Sequence, residues 1–157
     1  MTMRFFTGLH QPSDAKHFDA AFISVNRLRN RKGPFQVGDW IMDSAGFTEV
    51  STHGGYRFPV TEYAEQIKRW AGNGHLLAAV TQDYMCEPFI IQKTGLTVLR
   101  HQELTIERYD ALLACDRGGG VPHAGSARLH AGGVPAPYND VRRSTDLRAV
   151  GRSGLCV

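Results

Sequence analysis

A chain of 157 residues suits one domain with a core of its own, and it is short for a complete (β/α)8 barrel, which takes about 250 residues. No apolar run approaches the roughly 20 residues of a membrane span, and the N-terminus lacks a signal-peptide pattern, so a cytoplasmic protein with no membrane contact is expected. Three cysteines (Cys86, Cys115 and Cys156) without CxxC spacing argue against a disulfide framework or a zinc site.

In chain order, Met3 to Gly8 reads as a first strand. Ser13 offers an N-cap for a short helix over Asp14 to Ala20, with Asp14 placed to complement the helix dipole. Ala21 to Val25 is a brief apolar run. The stretch Asn26 to Lys32 then delivers four cations. Such a run reads either as a solvated loop or as a set of phosphate contacts near an active face. Gly33-Pro34 closes it.

The stretch Trp40-Ile41-Met42-Asp43-Ser44-Ala45-Gly46-Phe47-Thr48 organises the rest. It starts as a buried strand and ends on a carboxylate followed by a turn of small residues. Small residues let backbone N–H groups approach a flat ligand, and Phe47 offers a ring to stack on it. The plainer alternative is a strand capped by an Asp in a turn. After Gly54-Gly55-Tyr56-Arg57, Thr61 is placed to cap a helix whose stripe of Tyr63, Ile67 and Trp70 faces the core. Gly72-Asn73-Gly74 ends that helix. Leu76 to Asp83 is a second apolar run closing on a carboxylate. Strand, helix and strand in succession favour a parallel sheet, with Asp43 and Asp83 converging at one end of it.

Thr97 opens a last helix with a mainly apolar face of Val98, Leu99, Gln102, Thr105, Ile106, Tyr109, Leu112 and Leu113. Arg100, Glu103, Glu107, Arg108 and Asp110 are expected outside, and His101 at the surface. No Ser-His-Asp or Cys-His constellation is evident.

Asp43-Ser44-Ala45-Gly46-Phe47 resembles the Asp-Ser-Gly-Gly-aromatic signature of tRNA-guanine transglycosylases. The wider context, Phe5 to His10 and Gln82 to Pro88, is more similar to their DNA-acting relatives, the deazapurine DNA-modification transglycosylases of bacteria and phages. The resemblance runs from about Met3 to Asp116. It implies an α/β fold, the N-terminal strands and helices of a TIM-type barrel, and exchange of guanine in DNA for a 7-deazaguanine base. In that family one aspartate attacks C1′ of the deoxyribose, guanine leaves, and the incoming base displaces the enzyme. The resemblance makes Asp43 the acid/base carboxylate, Phe47 the ring that stacks on the base, and Asp83 the carboxylate that binds its Watson–Crick edge. Ser44, Ala45 and Gly46 complete the base pocket. Ala45 stands where the tRNA enzymes have glycine, and Thr48 where they have glutamine; the extra methyl at 45 is expected to narrow the pocket. No position matches the attacking aspartate or the family's zinc cysteines, so no cofactor is assigned to this chain.

Past Asp116 the composition changes. Residues 117–157 carry +4 while residues 1–116 carry −1, and Gly and Pro fill 11 of the last 41 positions. That profile suits disorder, or sequence not selected to fold. Read one nucleotide later, codons for Ser126-Ala127-Arg128-Leu129 can encode Leu-Gln-Gly-Tyr, which resembles a later barrel strand of the family. The expectation is a transglycosylase-like part over 1–116 and an out-of-frame or disordered basic tail over 117–157, inactive alone. The competing expectations are a non-catalytic α/β module that binds nucleic acid or a partner through a basic arm, and a pseudogene product.

Overall fold

Four parallel strands lie side by side in chain order in the computed structural model, which describes residues 4–117. They are β1 (Thr7–Leu9), β2 (Ala20–Ser24), β3 (Asp39–Asp43) and β4 (His75–Ala79). The helices are α1 (Gly46–His53), α2 (Val60–Trp70), α3 (Pro88–Thr94) and α4 (Val98–Arg117). The result is a mixed α/β fold, as the alternation of elements implied. The tail from residue 118 onward and the proposed start of the first strand at Met3 lie outside the described residues.

Register fixes two faces. Thr7 pairs with Ala21, Leu9 with Ile23, and Ile23 with Met42, so alternate residues point the same way. One face carries Ala21, Ile23, Trp40 and Met42, all fully buried against the Tyr63, Ile67 and Trp70 stripe of α2 and Leu112 of α4. Each large side chain removed from water here contributes about 1.5–3 kcal/mol. The other face sets Gly8, Phe22 and Ile41 in one row and Ser24 beside Asp43 in the next. It keeps part of its surface open.

The chain between β2 and β3 contains no α-helix and is held by side-chain contacts instead. Asn73, expected only as a turn residue, receives the Phe35 N–H at 3.0 Å and donates to the Phe35 carbonyl at 3.1 Å. Trp40 Nε1 donates to the Asn73 carbonyl at 2.7 Å. Gly74 follows at φ +61°, and a Cβ there would stand 2.5 Å from the Val37 carbonyl, so only glycine fits.

Several boundaries differ from the sequence reading. The first strand begins at Thr7, four residues late. Pro12 rather than Ser13 starts the first short turn, a 3-10 helix over Pro12–His17, because proline suits a helix's first position. Pro59, not Thr61, precedes α2. Helices α1 and α3 were not anticipated; they have eight and seven residues, too short to show a period. The β4 strand stops at Ala79, so Asp83 lies four residues past its end in irregular chain. His101, expected at the surface, is fully buried. Its Nδ1 donates to the Met85 carbonyl at 2.6 Å, and its Nε2 accepts from the Thr94 hydroxyl at 2.8 Å. A polar residue with both ring nitrogens satisfied can be buried without penalty. Val98 and Leu99, placed in the core by the sequence, are 44% and 47% exposed.

Candidate functional site

Asp43 is the last residue of β3, and its side chain opens into a cleft of about 560 Å3 at the C-terminal ends of the parallel strands. Gly8 and Leu9 of β1 with His10 just past it form one wall, Ser24 at the end of β2 with Asn26 and Arg27 beyond it another, and Thr48 of α1 a third. Asp43 Oδ2 accepts the Ala45 N–H at 3.1 Å. Burial pushes the Asp43 carboxyl above the usual carboxylate range, opposed by the Ala45 N–H, the Ser24 hydroxyl and the Ser44 N–H.

The small-residue turn is sharper than a loop. Ala45 takes a left-handed conformation at φ +63°, and α1 starts on the next residue. Among the described residues it is the one non-glycine position with positive φ. A side chain in that region costs roughly 1–2 kcal/mol. The Ala45 methyl is 3% exposed and belongs to the hydrophobic core cluster. Position 45 therefore acts on backbone strain and core packing.

Gly46 provides the close approach. A Cβ on Gly46 would stand 2.5 Å from the Tyr56 hydroxyl and 2.7 Å from Asp83 Oδ1. The Asp83 carboxyl thus rests against the first turn of α1, where the helix's unpaired N–H groups favour negative charge. Burial raises the Asp83 carboxyl, a backbone hydrogen bond opposes this, and the like charges of Asp43 and Glu87 add to the rise. Both expected carboxylates therefore meet at one helix N-terminus, near enough for one charge to perturb the other.

Around them stand residues that the sequence reading missed. The Tyr56 hydroxyl donates to the Asp83 carbonyl at 2.9 Å. Arg108, expected outside α4, turns inward, donates to Gln82 Oε1 at 2.7 Å and lies 4.5 Å from the Tyr56 ring centroid. Five buried side-chain polar atoms have no hydrogen-bond partner among the described residues, and Gln82 Nε2, next to Asp83, is one of them. Such orphans are rare and mark places where a ligand or water completes the set. Gln82 beside Asp83 was the one sequence signal for this group.

Phe47 stands apart from the cleft. It is the second residue of α1, 57% exposed, with its ring 6.1 Å from that of Phe89, itself 52% exposed. A few residues further along α1, Glu49 is 1% exposed and fully engaged. It receives Arg57 Nη2 at 2.8 Å, Arg57 Nε at 3.0 Å and Asn26 Nδ2 at 3.1 Å. The Arg57 guanidinium, outweighing burial, holds its carboxyl down at about 2.

Among the described residues, no three His, Cys, Asp or Glu side chains converge as a metal site. No described helix is long and apolar enough to cross a membrane. No curated protein and no solved structure matches the chain significantly. The family model DpdA, described as DeoxyPurine in DNA protein A, matches residues 1–118, three quarters of the chain. The chain belongs to this family, and with it to the DNA-modification proteins related to transglycosylases.

Proposed function

We propose that residues 1–116 form the base-handling part of a DNA-guanine transglycosylase, which exchanges guanine in DNA for a 7-deazaguanine derivative. The observation that carries this reading is the meeting of Asp43 and Asp83 at the N-terminus of α1, beside the strand-end cleft. Asp43, raised by burial, is suited to give a proton to a leaving base and to take one from an entering base. Asp83 accepts hydrogen bonds from the Watson–Crick edge. Gln82 Nε2 is an unspent polar atom next to Asp83. Ala45 holds the turn that brings Gly46 against the Asp83 carboxyl, and Phe47, exposed beside Phe89 outside the cleft lining, is the ring that the family resemblance assigns to the base.

Strand order supports a barrel segment: four parallel strands follow the chain without a reversal, as in the first half of a TIM-type barrel. In this reading the nucleophile that attacks C1′ and the zinc cysteines come from the second half. The basic stretch 117–157 is out-of-frame sequence, and the 157-residue chain does not complete the exchange.

Calorimetric titration of the chain with a 7-deazaguanine base tests the shared site. Asp83→Asn should weaken binding about 10-fold to 100-fold, the weight of a hydrogen bond to a charged group. Binding that neither Asp43→Asn nor Asp83→Asn alters would remove the shared-site reading. In a protein with the frame restored after Asp116, Asp43→Asn should lower guanine release from DNA by roughly a hundredfold.

A further inference from the structure

The three arginines of the run Asn26 to Lys32 have separate fates. Arg29 is spent on the fold: its side chain is 10% exposed, it pairs with Glu62 at 3.1 Å, and it lies 4.1 Å from the Phe58 ring centroid. Arg31 donates to the Gly33 carbonyl at 2.9 Å and the Pro34 carbonyl at 3.1 Å, closing its own loop. Arg27 is exposed and reaches His10 Nδ1 at 2.8 Å, where the ring nitrogen accepts. Among the described residues no carboxylate lies within ion-pair distance of it.

Arg27 and His10 both line the cleft that Asp43 lines. The cleft therefore carries a cation and a carboxylate that do not neutralise each other. Its volume, about 560 Å3, falls in the range of small-ligand sites. A ligand matching such a cleft has an anionic end and, away from it, a polar uncharged end that hydrogen-bonds a carboxyl. A nucleotide within a DNA strand has both. Guanidinium is the group best shaped for phosphate oxygens, and phosphate contacts set register without reading sequence.

We propose that Arg27, oriented by His10, binds the phosphodiester adjoining the nucleotide whose base faces Asp43. This rests on the base-handling reading and adds to it the anchor for the DNA backbone. The 3-10 turn Val25–Arg27 holds the arginine: it follows β2 directly, and Val25 and Leu28 are fully buried on either side. Its position is thus set by the sheet.

The test is fluorescence anisotropy of the full chain with a labelled single-stranded DNA containing one guanine, titrated with salt. Arg27→Ala should weaken binding about threefold to tenfold and reduce the salt slope by about 0.7, one phosphate's share on a single strand. Arg27→Lys should restore the slope, and Arg100→Ala, whose guanidinium already pairs with Glu103 and Glu107, should leave it unchanged. Melting curves of all three variants should match wild type. An unchanged slope in Arg27→Ala, an equal drop in Arg100→Ala, or no DNA binding by wild type would overturn the proposal. So would displacement of the DNA by inorganic phosphate at concentrations that leave the wild-type salt dependence unaffected. The base-handling reading fails separately: there Asp43→Asn leaves unchanged the preference for guanine over an abasic position, while the Arg27 result stands.

Discussion

Glu49 and the pair Asp43 and Asp83 are buried carboxylates within one small region, treated in opposite ways. Glu49 has a bidentate arginine and an asparagine amide, and its carboxyl is held down at about 2. Asp43 and Asp83 have no cation in ion-pair contact among the described residues, and burial pushes both up. Burying a charge is costly, and a protein meets that cost by pairing it or leaves it standing where the group has other work. Glu49 ties α1 to the Asn26 turn and to Arg57, which is structural work. The two aspartates are supported by N–H groups, the Ser24 hydroxyl and the helix end, with no opposing charge, an arrangement that destabilises the fold and keeps the carboxyls available.

Substitutions at three positions sharpen or break this contrast. Glu49→Ala should cost about 2–3 kcal/mol; the Arg57 side chain is 50% exposed and can rehydrate, which keeps the loss below that for a fully buried pair. Its pH signature follows from the lowered carboxyl. The stabilisation is present above the ordinary glutamate value near 4.5 and is lost as pH falls toward about 2. Denaturant midpoints measured between those values should fall for wild type and fall less for Glu49→Gln. Equal acid sensitivity in both would show that Glu49 is not the group that titrates.

Gly46→Ala should cost roughly 1–2 kcal/mol, because the new methyl meets the Tyr56 hydroxyl and the Asp83 carboxyl and something must move. Base binding should be lost with it. Retained 7-deazaguanine affinity in a destabilised Gly46→Ala would separate packing from the site. Smallest, and opposite in sign, Asp43→Asn should stabilise the protein by about 0.5–1 kcal/mol at neutral pH, as relief of a functional residue does. A raised carboxyl contributes stability below its unfolded value and loses it as pH rises through the folded one, so the gain should vanish near pH 4. A loss of stability at pH 7 in thermal melts would place Asp43 with Glu49 as a structural group.

The strands around Trp40 and Leu76, the stripe Tyr63, Ile67 and Trp70, and the Thr97 start of α4 were legible because each rests on local pattern. Alternating or three-and-four spacing of apolar residues announces which side must leave water, and a threonine hydroxyl announces a cap. Asp43 at a strand end was legible for the same reason. What the chain could not announce is partnership across distance. Whether Arg29 or Arg27 stays free depends on Glu62, 33 residues beyond Arg29. His101 becomes a core residue only because the Met85 carbonyl and the Thr94 hydroxyl come to its ring. Arg108 turns inward to Gln82 and Tyr56, and Gly46 matters because Asp83 lies against it. Hydrophobic periodicity is written residue by residue along the chain, whereas charge pairing and close approach exist only after folding has brought distant groups within a few ångströms.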